Sequence, residues 1–271
     1  MAVRPIFIIG SYRSGTSILT WCLGQHSNIW LVPETYWLAA FARDFDRYYT
    51  LGTAQPKAHF SVSSVSRDQV RDWFAQAVDG IVKKSAQFRY ETDKRNDLSF
   101  ALKRHEDDSK ERWVDGTPEN AHAVFPLLDL FPEAKFIHLL RDPHEVVRSL
   151  MNFDKAGGRK QEEMEAYATW LRLTTASVEA EEKAGAEKVR RFYYRALIDH
   201  PREVLQDIFD YVGEGFQADC MAPLKTRINS SQSEEEGQGH RVSLSHKARE
   251  AEAFFQELQG AAEHPTKVDV V

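Results

Sequence analysis

The sequence predicts an α/β protein of three layers, with a central parallel sheet flanked by helices, and three observations carry that reading. Short β-branched and aromatic runs alternate with stretches of helical period; two of these strands turn directly into a helix; and 271 residues with 42% hydrophobic content can fill the core of one large domain. Residues 1–271 are therefore read as a single domain.

Ile6-Phe7-Ile8-Ile9 is the first strand; it stops at Gly10, and Thr16 to Gln25 follows with apolar residues at helical spacing. A shorter strand is expected at Ile29 to Val32. Residues 41–112 are polar and charged with helical patches, and are expected to form a helical cap inserted in the domain, its Lys94 to Arg112 part being the most charged. Trp113-Val114 is a further short strand.

From Lys135 the strand Phe136-Ile137-His138-Leu139-Leu140 runs into Arg141-Asp142-Pro143 and the helical Glu145 to Leu150. Asp142 as N-cap, Pro143 at the first helical position and Glu145 in the capping-box position mark that helix start. The last strand is Val189 to Tyr193, and alternation of this kind implies a parallel sheet. Residues 230–240 have the composition of a flexible loop, before a final amphipathic helix around Lys247 to Leu258.

Composition excludes several functions. A formal net charge of −6 argues against a nucleic-acid-coating protein, although a locally basic cleft can hold a small anion. Cys22 and Cys220 have no metal-ligand spacing and form no disulfide framework, which fits a reducing, cytoplasmic setting. The ten histidines show no His-Glu-x-x-His pattern, so no metal site is expected. The apolar run Ile6 to Ile9 is too short to span a bilayer or to serve as a signal-peptide core. Nothing in the sequence encodes the oligomeric state.

The chemistry concentrates in Gly10-Ser11-Tyr12-Arg13-Ser14-Gly15-Thr16-Ser17, at a strand-to-helix turn. Glycine at both ends lets the backbone curl so that several N–H groups face one anion; the helix N-terminus adds partial positive charge, Arg13 a full one, and the hydroxyls further donors. The fold expected is thus P-loop-containing. A plain glycine-bounded turn is the alternative, but the arginine and hydroxyl content favours phosphate. Thr16 stands where a nucleotide-triphosphatase loop has its lysine, which disfavours ATP or GTP transfer.

Arg141 follows its strand at the carboxyl end, the edge where ligands gather on an open α/β sheet, and Ser149 lies about two helical turns further on. Taken alone, the pair is either a clamp for a second phosphate or a surface charge beside a helix cap.

Together these segments resemble the PAPS-dependent sulfotransferase superfamily, in its bacterial and tyrosylprotein-sulfotransferase-like branch, PAPS being 3′-phosphoadenosine 5′-phosphosulfate. The resemblance runs from Ile6 to about Phe216. It implies that the loop Ser11, Tyr12, Arg13, Ser14, Gly15, Thr16 and Ser17 holds the 5′-phosphosulfate, that Arg141 and Ser149 hold the 3′-phosphate, and that Tyr194 lies near the nucleotide. Tyr194-Arg195-Ala196-Leu197 follows the family's Tyr-Glu-Asp-Leu with Arg195 in place of the glutamate. Glu34, 21 residues after Arg13, matches the glutamate base of tyrosylprotein-type relatives; apart from the resemblance it reads as a surface loop carboxylate after Pro33, as most glutamates in such a setting are.

The implied activity is sulfuryl transfer from PAPS to a hydroxyl or amine on a small-molecule, carbohydrate or peptide acceptor, with Glu34 and Arg13 catalytic and no metal. Tyr36 and Trp37 either line the acceptor pocket or pack under the cap. One departure stands out at Asp115-Gly116-Thr117-Pro118, where relatives commonly carry lysine in place of Gly116, and cytosolic relatives a histidine base where Pro118 stands. Lys135 begins its strand, at the sheet edge opposite Arg141, and does not replace that lysine. Two alternatives follow: nucleotide binding without efficient transfer, and an ATP-dependent phosphotransferase.

Overall fold

The computed structural model describes residues 2–92, 110–156, 158–225 and 245–263. Five strands, β1 (Ile6–Ile9), β2 (Ile29–Leu31), β3 (Arg112–Asp115), β4 (Lys135–Leu140) and β5 (Val189–Tyr193), form one sheet in the order β2-β3-β1-β4-β5. Every pairing is parallel, from Ile6 opposite Lys135 and Ile9 opposite His138 to Leu140 opposite Tyr193. All carboxyl ends therefore share one edge, with β1 at the centre. Each strand lies within two residues, at either end, of the sequence expectation.

Side-chain alternation along the strands sorts the core into layers. Phe7 and Ile9 of β1, Trp113 of β3 and Phe136 of β4 face one side; Ile6, Ile8, Val114, Ile137 and Leu139 face the other. The first side is covered by α2 (Trp37–Thr53), α4 (Arg67–Thr92), α5 (Val124–Leu130) and α7 (Glu163–Ala184), with Phe7 stacked on Phe136 and edge-on to Trp113. The second is covered by α1 (Thr16–Gly24), α8 (Tyr194–Asp199) and α9 (Pro201–Val212). A third cluster joins α6 (Pro143–Met151) and α7 to the last helix, α10 (His246–Glu263), around Trp170.

The inserted segment expected as a cap contributes most of α2, the short α3 (His59–Val62) and α4. Through Ala42, Ala75, Val78, Val82 and Ala86 these helices share a core with β1 and β3, forming part of a helical layer. Arg112 opens β3, with its guanidinium buried and bonded to the carbonyls of Arg4 and Val212 and to Glu214. The charged stretch 94–109 and the loop 230–240 lie outside the described residues.

The α6 start follows its sequence signature in part. Asp142 Oδ1 accepts from the Glu145 N–H at 3.0 Å, and buried Pro143, Val146, Val147 and Leu150 repeat at helical spacing. The Glu145 carboxylate bonds Arg141 Nε at 2.8 Å rather than closing a capping box.

Candidate active site

The loop after β1 is built around two glycines. Gly10 has φ +139°, and a Cβ there would lie 2.6 Å from the Leu139 carbonyl oxygen of the neighbouring strand. Gly15 has φ +101°, and its missing Cβ leaves room for the Tyr194 ring, which would stand 2.5 Å from it. Both positions need a residue without a side chain, for conformation and for space. Between them Arg13 takes φ +64°, unfavourable for a bulky side chain and held there by the bonds it makes.

Those bonds interlock three segments far apart in the chain. Arg13 Nε donates to Ser149 Oγ at 2.9 Å, and its guanidinium lies 4.7 Å from the centre of the Phe153 ring. Arg141 Nη1 donates to the Arg13 carbonyl at 3.0 Å, while the Arg141 guanidinium stacks 4.2 Å from the Tyr194 ring centre. The Arg141 carbonyl in turn accepts from Trp170 Nε1 at 3.1 Å. Burial, and then the nearby charge of Arg141, push the Arg13 guanidinium below its ordinary value. The two guanidinium groups are neighbours, and the Glu145 carboxylate, 2.8 Å from Arg141 Nε, offsets part of their charge.

The remaining loop residues divide by role. Ser14 is buried and turns inward, its Oγ donating to the Ser11 carbonyl at 2.6 Å. Tyr12 packs between two core clusters, and Thr16 is buried at the start of α1. Ser17 is exposed on the first turn of α1. Gly15, the N-cap of α1, makes no side-chain cap, so the first-turn N–H groups rely on other partners. The Ser11 hydroxyl is buried without a hydrogen-bond partner among the described residues. The uncapped start of α1 and the Ser11 hydroxyl suit an anion lying in the loop, whereas the Ser14 hydroxyl is engaged with the Ser11 carbonyl and Tyr12 packs in the core.

Glu34 follows β2, whose pairing through β3 to β1 brings the 32–36 turn to the same sheet edge as the loop. Its carboxylate is exposed and accepts a hydrogen bond from the hydroxyl of Tyr36. Tyr36 and Trp37 are 55% and 45% exposed, and Trp37 meets Phe41 edge-on at 6.3 Å, so both rings border open surface. The structure thus joins Arg13, Gly15, Arg141, Ser149 and Tyr194 in one cluster. Glu34 lies on the same edge two strands from β1.

Gly116 ends β3 against α1: a Cβ there would lie 2.2 Å from Thr20 Oγ1, whose hydroxyl donates to the Thr16 carbonyl at 2.8 Å. Lys135 lies at the far end of β4, its ammonium directed to Glu187.

Sequence reasoning missed Phe153, the ring under Arg13, and Trp170, the donor that fixes the Arg141 backbone. Phe153 stands four residues after Ser149, a helical spacing that was a usable signal. Trp170 has no local signal. Also missed was Asp115, fully buried, whose carboxylate ties the 115–120 turn to Thr35. Among the described residues no group of three or more His, Cys, Asp or Glu could hold a metal ion, and no helix is long and apolar enough to cross a membrane.

Comparison with known proteins bears on the family and the fold. Over 235 residues the chain is 25% identical to an uncharacterized protein of Aquifex aeolicus (strain VF5), covering 83% of this chain and 26% of that protein. Over 115 residues it is 30% identical to omega-hydroxy-beta-dihydromenaquinone-9 sulfotransferase Stf3 of Mycobacterium bovis, covering 39% of this chain and 29% of that protein. The chain thus spans less than a third of the length of these relatives. The solved sulfotransferase domain from the Synechococcus PCC 7002 olefin synthase superposes with a TM-score of 0.55 at 20% identity, covering 93% of this chain and 94% of that one, a likeness of fold. The profile of the Sulfotransferase family matches residues 5–218, from β1 through α9, and the chain belongs to that family.

Proposed function

We propose that this protein binds PAPS across the carboxyl edge of its sheet and transfers the sulfuryl group to a hydroxyl or amine of a small-molecule, carbohydrate or peptide acceptor. The observation that carries the reading is the cluster in which Arg13 and Arg141 are held together by Ser149, Tyr194 and the loop backbone. A nucleotide with phosphates at both the 5′ and 3′ positions satisfies two adjacent cations and a loop of N–H donors; a 5′-polyphosphate serves only the loop.

In this reading Arg13 and the first turn of α1 stabilise negative charge on the transferred group and the leaving phosphate. Positioning and electrostatics then supply most of the acceleration, as for phosphoryl transfer. Arg141 and Ser149 take the 3′-phosphate, and the Tyr194 ring, seated on Gly15, walls the site. Glu34 takes the proton of the acceptor, and the exposed rings of Tyr36 and Trp37 border the acceptor's approach.

A specific observation favours a second reading, nucleotide binding without efficient transfer. Gly116 stands where relatives commonly carry lysine, and Thr20 fills the space that a side chain there needs. Thermal unfolding with added ligand tests the first step of both. PAP, 3′-phosphoadenosine 5′-phosphate, at about a hundred times its dissociation constant should add roughly 2.7 kcal/mol, a shift of several degrees. ADP should stabilise less. Stabilisation by ATP with magnesium and none by PAP would contradict the proposal and favour a phosphotransferase. Transfer of radiolabelled sulfate from PAPS to an acceptor panel then separates the catalytic reading from the binding-only one.

A further inference from the structure

Asp115 ends β3 with its side chain fully buried, and four donors converge on it. Oδ1 accepts from the Thr117 N–H at 2.9 Å and the Thr117 hydroxyl at 2.6 Å; Oδ2 accepts from the Thr35 hydroxyl at 2.6 Å and from Asn120 Nδ2 at 2.9 Å. Thr117 Oγ1 also accepts from the Thr35 N–H at 2.8 Å. The Thr117 hydroxyl thus bridges the two segments, donating its proton to Asp115 while a lone pair accepts the Thr35 N–H. Burial pushes the Asp115 carboxyl above its ordinary value and outweighs the bonds from Thr117, Thr35 and Asn120, which act the other way. The Thr117 N–H and the Asn120 amide can only donate to it, and the two hydroxyls can donate or accept.

The segment held in this way is the one that carries Glu34. Thr35 is the next residue, and its bonds from both the backbone N–H and the side chain are the fixed point of a turn whose neighbours Glu34 and Tyr36 are exposed. The Thr35 carbonyl also accepts from the Leu38 N–H in the first turn of α2. Glu34 is exposed, and Tyr36, which bonds it, belongs to the same turn.

We propose that Asp115 is a positioning residue for Glu34, acting through Thr35 and Thr117; the proposal rests on Glu34 being the base. It sets the 33–36 turn relative to the loop after β1, because Asp115 is itself fixed by β3, which pairs with β1 through Ile6–Val114 and Phe7–Asp115. A base misplaced by about 1 Å loses on the order of a hundredfold in rate, so a rigid tie at the adjacent residue has kinetic weight.

The test uses the full chain with Asp115→Asn, Thr35→Val and Thr35→Ser. In Asp115→Asn one oxygen becomes an amide that faces donors. Thr35→Val removes a single donor at nearly constant shape, and keeps the test available if Asp115→Asn does not fold. The first readout needs no catalysis: hydrogen exchange in the ligand-free chain, followed over the peptide spanning residues 33–38. Exchange there should quicken at least about tenfold in Asp115→Asn and in Thr35→Val, and stay near wild type in Thr35→Ser, which retains the hydroxyl.

In turnover, kcat should fall about tenfold or more in the first two variants, with PAP affinity unchanged and Thr35→Ser close to wild type. Neither substitution should lower turnover further in a Glu34→Gln background. Unchanged exchange over 33–38 overturns the proposal, as does quickened exchange with undiminished kcat. Full turnover in Glu34→Gln alone removes the base assignment and the proposal with it, a result distinct from either.

Discussion

The two halves of the site are held by different means. On the nucleotide side the functional side chains bond to one another: Arg13 to Ser149, and Arg141 to the Arg13 backbone and the Tyr194 ring, across separations of 136 and 128 residues for the two hydrogen bonds. On the acceptor side Glu34, Tyr36 and Trp37 are exposed, and the order in that turn comes from Thr35 and the buried Asp115, 80 residues away. In the proposed reading, the half that takes the nucleotide is locked by the groups that would bind it. The half around Glu34, which in that reading faces the acceptor, is locked from behind through Thr35 and Asp115.

This comparison can be broken first at Glu34. Glu34→Gln should reduce turnover by about two to four orders of magnitude while PAP-induced stabilisation stays at the wild-type level, since the carboxylate makes no contact with the nucleotide loop in this reading. Steady-state kinetics paired with thermal unfolding checks both halves at once; a parallel loss of PAP binding would show that the two sides are not separately held.

The nucleotide half is sharpened by Gly15. Gly15→Ala places a Cβ 2.5 Å from the Tyr194 ring at φ +101°, so the variant should be destabilised by roughly 1–3 kcal/mol and bind PAP more weakly. Denaturant unfolding measures the first effect. Because the ring rather than the helix is displaced, Tyr194→Ala in the same chain should recover part of the stability.

The smallest effect lies away from both halves. Glu181 is bonded by buried His138 and by Arg191; burial alone would raise its carboxyl, but these two partners outweigh it and hold the group below the ordinary glutamate value. A depressed folded value means stability that is present above the ordinary glutamate range and lost as pH falls toward the lower folded value. Acid unfolding should therefore be shallower in Glu181→Gln than in wild type, with PAP affinity at neutral pH unaltered.

Much of the fold was legible because the strands are short, apolar and bounded by turn residues, so Ile6–Ile9 and Val189–Tyr193 could be delimited from pattern alone. The glycine-bounded loop after β1 stood out for a similar reason: its glycines, arginine and hydroxyls are contiguous. Trp170 and Asp115 were not, since their roles come from partners 29 and 80 residues distant, and buried Trp and Asp carry no periodic signature. The integration of α2 and α4 into a helical layer was masked by their surfaces. Exposed Trp73, Ile81 and Phe88 interrupt the contrast between faces that marks a packed helix.

The central claim, a site for a nucleotide with both 5′ and 3′ phosphates, is tested most directly by calorimetric titration of wild type and Arg141→Ala with PAP and with AMP, which lacks the 3′-phosphate. Wild type should bind PAP at least about thirtyfold more tightly than AMP, the equivalent of 2 kcal/mol for a buried charge-assisted contact, and Arg141→Ala should bring the two affinities together by weakening PAP alone. Equal affinity for PAP and AMP in wild type, or an Arg141→Ala variant that still discriminates between them, would contradict it.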